Sequence, residues 1–435
     1  MKTFLLSVLS LAVPAAACAA EEGAAATSGA DTAWVLICTA LVMFMTVPAL
    51  ALFYGGLVKR KNVLSILMQC FVTLAVGSLM WIAFGYSLSF SPKPYIQGFL
   101  GNLDWAFLEN VGTGPSAHYA TTVPHLAFMI FQGMFAVITP ALIIGAFAER
   151  MKFSAFMAFT VAWSLLVYYP VAHWVWSTDG WLFKMGALDF AGGIVVHINA
   201  GIAALVTALV IGKRIYLKPT PPHSLPFTMI GAGMLWFGWF GFNAGSALAA
   251  NGLAANAFVV TNTAASAAVV VWMALDWVLV SKPTMLGTAT GAIAGLAAIT
   301  PAAGFVGVGA SIAIGAAASA ICYVMVVYIK GRLGYDDALD AFGVHGIGGL
   351  IGTLAAGVFA TPLVQPGIAG ALSGNLNQLW VQCIAAASVT GYALVLTWII
   401  YALIDRTMGL RVSEDEEAMG LDITQHDERG YTVIE

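Results

Sequence analysis

The sequence predicts an all-α polytopic membrane protein with eleven transmembrane helices, arranged as two inverted five-helix repeats plus a final helix. Of its 435 residues, 60% are hydrophobic and only 9% are charged, and the mean hydropathy is +0.89. Soluble domains carry about 25% charged residues, and about 20 consecutive apolar residues are enough to cross a bilayer. The net charge of −4, with no basic patch, argues against a nucleic-acid partner.

The first residues have the features of a secretory signal. Lys2 precedes an apolar run, and Ala17-Cys18-Ala19 matches the small-residue pattern of a cleavage site. We predict a signal peptide over residues 1–19 and an extracytoplasmic N-terminus over 20–32. Two alternatives stay open, which are a retained first helix and a lipoprotein attached through Cys18.

Eleven apolar segments follow the signal, and the basic residues orient them. Lysine and arginine cluster after the odd-numbered segments, whereas only Lys93 and Lys184 follow even-numbered ones. Because basic loops stay cytoplasmic, we expect the mature N-terminus outside and the C-terminus inside, in the cell inner membrane. The eleven-helix domain then covers 33–405 and a cytoplasmic tail covers 406–435. The predicted segments are 33–58, 63–90, 123–147, 153–176, 191–212, 226–248, 255–280, 284–300, 305–329, 341–360 and 379–405.

Two stretches with the pattern V-H-x-x-x-G occupy equivalent positions in this plan. "VVHINAG" places His197 on the fifth segment, and "GVHGIGG" places His345 on the tenth. Five helices per repeat invert the second repeat relative to the first. Inverted repeats are typical of transporters, which hold the substrate path at the repeat interface.

A histidine inside a membrane needs a partner or a function, because a polar side chain is costly in hydrocarbon. His197 and His345 have three possible roles. They could satisfy neighbouring polar groups, ligate a haem from two helices, or offer ring nitrogens to a small polar permeant in a pore. The sequence predicts no metal or cofactor otherwise, since the cysteines inside the segments have no paired spacing.

The order of aromatic residues by depth favours the pore. Trp176 ends the fourth segment, Ser246 lies near the outer end of the sixth, and Phe242 lies one turn deeper. Phe131 and Phe135 lie about 12 and 18 Å into the third segment at ~1.5 Å per residue. Aromatic faces hold a desolvated cation with about 1 kcal/mol or more each. We expect a vestibule, then a phenyl pair, then the histidines.

Two acidic residues precede the histidine helices. Asp189 stands at the start of the fifth segment, where it either caps the helix or supports cation binding in the vestibule. Asp340 precedes "AFGVHG" and is predicted to cap the tenth segment in the same way.

The sequence resembles the ammonium transporter family (Amt/Mep/Rh) in stretches from the third segment to the tail. They include "FQGMFAVITPALIIGAFAER", "YYPVAHWVW", "GALDFAGGIVVHINAGIAAL", "GWFGFNAGS", "DAFGVHGIGG" and "GLRVSEDEEAMGLDITQH". The resemblance implies ammonium recruitment by Trp176 and Ser246, with Phe131 as a further wall and Asp189 in support. It also implies a stacked phenyl gate of Phe135 and Phe242 and pore histidines at His197 and His345.

The same resemblance implies a transporter, not an enzyme, that carries ammonium or ammonia and methylammonium for nitrogen uptake. Its members are homotrimers embedded in membrane lipids, and bacterial members similar to this chain are blocked by a cytoplasmic PII-type protein. The tail from 406 to 435 has eight acidic and three basic residues. It would be disordered by composition alone, but the resemblance implies an ordered segment.

Two other functions stay open from the sequence. One is an ammonium sensor with little flux, although the tail is too short for an output domain. The other is a bis-histidine membrane cytochrome, which an absorbance spectrum would reveal.

Overall fold

The computed structural model describes residues 27–215 and 221–431, so the predicted signal peptide and its cleavage site lie outside the described residues. Within them, ten helices are long and apolar enough to cross a membrane, and Met285–Ile299 is a shorter apolar helix. The prediction of eleven spans is confirmed. We number them span 1 to span 11: Gly29–Leu57, Arg60–Phe90, His125–Phe147, 153–176, Gly193–Ile211, Leu225–Gly245, Gly252–Val280, Met285–Ile299, Val308–Leu333, Phe342–Phe359 and Leu376–Met408.

Six spans contain a segment with π-helical hydrogen bonding. In five of them one extra residue is inserted into the α-helical ladder, and in span 1 the segment includes a break at Val47. Two of these segments, Gly193–Ile198 and Phe342–Gly346, begin spans 5 and 10 and carry His197 and His345. Single π turns inside α-helices occur frequently at functional sites. The others are Met45–Leu50, Trp81–Gly85, Ser164–Tyr168 and Met325–Ile329.

The connection between spans 2 and 3 folds into two short antiparallel hairpins, which hydropathy did not predict. Strands β1 (Pro94–Ile96) and β2 (Leu100–Gly101) form the first, and β3 (Pro115–Ser116) and β4 (Ala120–Pro124) form the second. The first hairpin is held to the end of span 4, because the indole of Trp174 donates to the Phe99 carbonyl at 3.1 Å. We call this side of the molecule the hairpin side. A short helix, Trp181–Met185, follows span 4 there.

The described part of the tail, up to residue 431, covers the opposite side, here called the tail side. It contains the helices Glu414–Met419 and Leu421–His426. Buried carboxylates fasten it to the loop after span 5 and to the start of span 2. Glu417 accepts from the Ile215 amide and the Arg411 guanidinium, each at 2.7 Å. Asp422 accepts from the Ser65 amide at 2.9 Å and so caps the start of span 2.

Spans 5 and 10 cross so closely that their backbones touch, and both glycines of the V-H-x-x-x-G stretches lie at the crossing. A Cβ on Gly201 would lie 2.2 Å from the Gly346 Cα. A Cβ on Gly349 would lie 2.7 Å from the His197 Cβ. The contact is reciprocal. Gly201 of the first stretch lies against the residue next to His345, and Gly349 of the second stretch lies against His197. Only glycine fits at either position, as at other close helix crossings in membranes.

We expect Gly201→Ala to destabilise the protein, because the added methyl group meets backbone atoms that cannot rotate away. Overpacking of this kind costs about 1–3 kcal/mol, so the thermal unfolding midpoint in detergent should fall. Gly391→Ala in span 11 is the control, since a Cβ there has no atom within 4 Å. The same loss in both variants would contradict the role of the crossing.

Candidate functional site

Three cavities follow one another from the hairpin side to the tail side, and the predicted site residues line them. The hairpin-side cavity, of about 280 Å³, is lined by Phe135, Trp176 and Ser246 among others. A middle cavity of about 10 Å³ is lined by Phe242, His197 and His345. The tail-side cavity, of about 170 Å³, is also lined by His345. The middle cavity is only about large enough for one water-sized molecule.

The walls of the hairpin-side cavity are held by hydrogen bonds to backbone carbonyls. The indole N–H of Trp176 donates to the Asp189 carbonyl at 3.0 Å, which fixes the ring at the cavity wall. The hydroxyl of Ser246 donates to the Phe242 carbonyl at 2.9 Å. A hydroxyl oxygen that donates its only proton still has lone pairs, so Ser246 remains able to accept from a guest.

Phe131 occupies a different position from the other predicted recruitment residues. Its side chain is fully buried, and it does not appear among the residues that line the hairpin-side cavity. Its ring packs against Phe135 with centroids 5.0 Å apart and planes at 71°. Phe131 therefore supports the phenyl ring of Phe135 from behind.

The rings of Phe135 and Phe242 meet between the hairpin-side and middle cavities. Their centroids are 4.4 Å apart, and both side chains are buried. Trp176 stands nearly perpendicular to Phe135, at 5.7 Å and 87°. The structure thus brings three predicted aromatic residues together at one constriction.

The imidazoles of His197 and His345 lie side by side beyond this constriction, with centroids 5.3 Å apart and planes 14° from parallel. Both are buried, with 1% and 4% of the residue surface exposed. Among the described residues, neither nitrogen of His197 and not Nδ1 of His345 has a hydrogen-bond partner. Buried polar atoms are usually paired, so these nitrogens are available to something that enters the middle cavity.

Trp239 is a site residue that the sequence reasoning missed. Its ring stacks on His197 at 5.5 Å and 25°, and its indole N–H donates to the Thr300 hydroxyl at 2.8 Å. It also lines the middle cavity. Trp239 precedes Phe242 by three residues, a spacing that puts both on one helix face and could have identified it.

The carboxylate of Asp189 is turned toward the backbone of span 5. One oxygen accepts from the amides of Gly192 and Gly193 at 2.9 and 2.5 Å, and the other from Ile194 and Val195 at 2.9 and 3.0 Å. Asp189 therefore caps the π turn that carries His197, while its own carbonyl holds Trp176. The side chain is not among the residues that line the hairpin-side cavity.

The matching cap on span 10 is Asp337, so the prediction that named Asp340 is wrong. Asp337 accepts from the Phe342 amide at 2.8 Å, whereas the Asp340 carboxylate forms an ion pair with Lys330. Asp189 and Asp337 each stand eight residues before the histidine of their span. Burial raises the pKa of the Asp337 carboxyl to about 6.

The tail-side cavity is more polar than the middle one. Arg214, Thr290 and Asp340 line it together with His345. Arg214 is held in place by Asp336 and Glu149, each at 2.8 Å. The cavity can therefore hydrate a molecule that leaves the apolar middle cavity.

Comparison with known proteins agrees with this architecture. The sequence profile of the Ammonium Transporter Family matches residues 33–431. The chain is 51% identical over 402 residues to an ammonium transporter of Bacillus subtilis, covering 92% of this chain and 98% of the relative. It is 49% identical over 408 residues to ammonium transporter Amt1 of Archaeoglobus fulgidus, covering 93% of this chain and 100% of the relative.

A solved structure gives the same result. The crystal structure of Saccharomyces cerevisiae Mep2 superposes with a TM-score of 0.83 at 35% identity, covering 90% of this chain and 89% of Mep2. These likenesses extend over nearly the whole chain and include all eleven spans. They do not favour a cytochrome, and the chain is a transporter and not an enzyme. The protein is a multi-pass membrane protein that belongs to the ammonium transporter family.

Proposed function

We propose that this transporter recruits ammonium in the hairpin-side cavity and passes it as neutral ammonia along His197 and His345 to the tail-side cavity. The observation that carries the proposal is the succession of three cavities, with unpartnered imidazole nitrogens in the middle one. If the proton removed from ammonium crosses the membrane by a separate route, the net result is import of ammonium. If the proton stays outside, the net result is import of ammonia.

Recruitment of a cation is favoured by the chemistry of the hairpin-side cavity. The faces of Trp176 and Phe135 attract a cation through their ring quadrupoles, by about 1 kcal/mol or more each once water is removed. The Ser246 oxygen adds a hydrogen-bond acceptor for one ammonium N–H. Potassium has a similar size but cannot donate a hydrogen bond, so this acceptor favours ammonium.

Passage beyond Phe135 and Phe242 requires the loss of hydration water. An ion that keeps its charge meets an apolar, nearly closed space, and burial of an unpaired charge is very costly. Ammonium differs from potassium because it can leave its proton behind. The constriction therefore selects the species that can become neutral.

Neutral ammonia then needs hydrogen-bond partners along an otherwise apolar path. A neutral imidazole offers one donor and one acceptor, and ammonia can both donate and accept. The unpartnered nitrogens of His197 and His345 supply these contacts in succession. Stacking by Trp239 and capping by Asp189 keep the His197 ring oriented toward the path.

We further propose the cellular setting from the charge pattern and the tail. The basic loops lie on the tail side, which supports a cytoplasmic C-terminus, an outside N-terminus released by removal of residues 1–19, and residence in the inner membrane. The domain limits proposed are an extracytoplasmic segment over 20–32, the transporter domain over 33–405 and the tail over 406–435. A homotrimer with one pore per subunit and a PII-type partner at the ordered tail complete the proposal.

His197→Ala should reduce methylammonium uptake by at least tenfold, or abolish the discrimination against potassium, because the middle cavity loses its first hydrogen-bond partner. Tenfold corresponds to about 1.4 kcal/mol in the barrier. Uptake is measured in cells lacking their own transporters, with membrane insertion and oligomeric state checked on purified protein. His173→Ala is the control, since His173 is equally buried but lines none of the three cavities. Unchanged uptake and selectivity in His197→Ala would overturn the pore role.

Asp189→Ala should impair transport more than Asp189→Asn, because the amide keeps one oxygen that accepts from the helix amides. Loss of an ordinary N-cap costs about 1 kcal/mol, and four amides lose their acceptor here. Uptake and thermal midpoint are measured together. Ser224→Ala, which removes a cap with a single hydrogen bond on span 6, is the control. Equal loss in both Asp189 variants would instead indicate that the charge itself acts on the cation.

Glu417→Gln should loosen the tail, because Ile215 and Arg411 lose a charged acceptor. We expect cleavage by trypsin after Arg411 to become at least fivefold faster, while the spans stay intact. Glu414→Gln, at an exposed position of the same helix, provides the matched control. If the two variants are cleaved equally fast, Glu417 does not hold the tail.

A further inference from the structure

An apolar groove runs along the exposed flank of spans 1 and 2 and ends under the tail. It exists because span 1 is interrupted at Val47, whose extended backbone (φ −138°, ψ 118°) breaks the helix. The groove measures about 350 Å³, and Phe71 on its wall has 61% of its surface exposed. We call it the flank groove, lined by Val47, Pro48, Ala51, Leu52, Leu64, Leu67, Met68 and Phe71, with His426 and Glu428 at its tail-side end.

A polar cavity of about 280 Å³ adjoins the tail-side end of this groove. We call it the headgroup cavity, lined by Arg60, Lys61, Met419, Asp422, Ile423, Glu428, Arg429, Gly430 and Tyr431. Glu428 belongs to the walls of both cavities. The walls of the two cavities also touch, because a Cβ on Gly430 would lie 3.3 Å from Leu64 of the flank groove. Together they form an apolar slot with a polar end.

The headgroup cavity carries unpaired charges of both signs. Arg60 and Arg429 are exposed, and neither forms a hydrogen bond or an ion pair with the described residues. Asp422 is 2% exposed, and its Oδ2 has no hydrogen-bond partner there either, although Oδ1 accepts from Ser65. Burial raises the pKa of the Asp422 carboxyl, and the amides at the start of span 2 and the nearby His426 oppose that shift.

We propose that the flank groove and the headgroup cavity together bind an aminophospholipid of the phosphatidylethanolamine class. One acyl chain fills the flank groove. The phosphate accepts from Arg60 and Arg429, whose guanidinium groups suit phosphate oxygens. The primary ammonium donates to Asp422 and Glu428.

The charges select this lipid class over the others in a membrane. Phosphatidylglycerol presents the phosphate but no cation, so the buried oxygen of Asp422 stays unpaired. Phosphatidylcholine presents a cation without N–H groups, which cannot donate a hydrogen bond. A primary ammonium has three donors, and charge-assisted hydrogen bonds are about twice as strong as neutral ones.

Lipid bound there would join the tail to spans 1 and 2, since the headgroup cavity is built partly from the tail. The inference does not rest on the pore mechanism. It rests on membrane insertion, which family membership and the apolar spans already establish.

The test is native mass spectrometry of the delipidated full-length protein with three lipids that share the same acyl chains. Phosphatidylethanolamine should bind with an apparent Kd at least fivefold below that of phosphatidylcholine or phosphatidylglycerol. Water-soluble phosphoethanolamine should bind at least tenfold more weakly than the lipid. Equal binding of phosphatidylcholine, tightest binding of phosphatidylglycerol, or equal binding of phosphoethanolamine would each overturn the proposal.

Variants locate the site. The double variant Arg60→Gln with Arg429→Gln should lose at least fivefold in affinity for phosphatidylethanolamine, and Met68→Trp should weaken all three lipids by filling the flank groove. Arg332→Gln, exposed in the last turn of span 9, is the control and should leave binding unchanged. Unaltered lipid binding in the Arg60/Arg429 variant would overturn the site. If Met68→Trp changes the oligomeric state and leaves lipid binding intact, a second copy of the chain occupies the flank groove instead.

Discussion

The placement of His197 and His345 depends on the contact of two helix backbones at Gly201 and Gly349. Because spans 5 and 10 touch there, the two imidazoles come within 5.3 Å of each other near the middle of the molecule. A larger residue at either glycine would separate the helices and move the rings apart. Cavity size, ring stacking and access to the imidazole nitrogens all follow from this distance.

The carboxylates at the starts of these spans complete the arrangement. Asp189 and Asp337 cap the π turns that bear the histidines, from opposite sides of the molecule. Each π turn rotates its histidine relative to the α-helix that follows it. The orientation of the His197 and His345 side chains therefore depends on the backbone amides at the starts of spans 5 and 10, which Asp189 and Asp337 cap.

The eleven spans and the equivalence of His197 and His345 could be predicted from the sequence. Hydropathy and basic-loop alternation gave eleven spans, because the bilayer imposes helix length and the loops carry the charges. The short span Met285–Ile299 was predicted as the segment 284–300, because the alternation of basic loops requires a span there. Repeat equivalence of His197 and His345 followed from the shared motif, and their proximity agrees with it.

Other features depend on tertiary contacts that a linear pattern does not contain. Asp340 and Asp337 are three residues apart, and only the left-handed backbone at Asp340 and its ion pair with Lys330 decide which carboxylate caps span 10. Phe131 and Phe135 share a helix face, yet only Phe135 reaches a cavity. The hairpins between spans 2 and 3 are too short for hydropathy to detect.

The reciprocal crossing has a consequence for biogenesis. The N-terminal half of the chain contains Gly201 and His197, and Trp239 and Phe242 follow with span 6, but Gly346 and His345 are made only with span 10. The contact that brings the two imidazoles together therefore forms late in translation. Spans 1 to 9 have to enter the membrane while the space that span 10 will fill beside span 5 is still open.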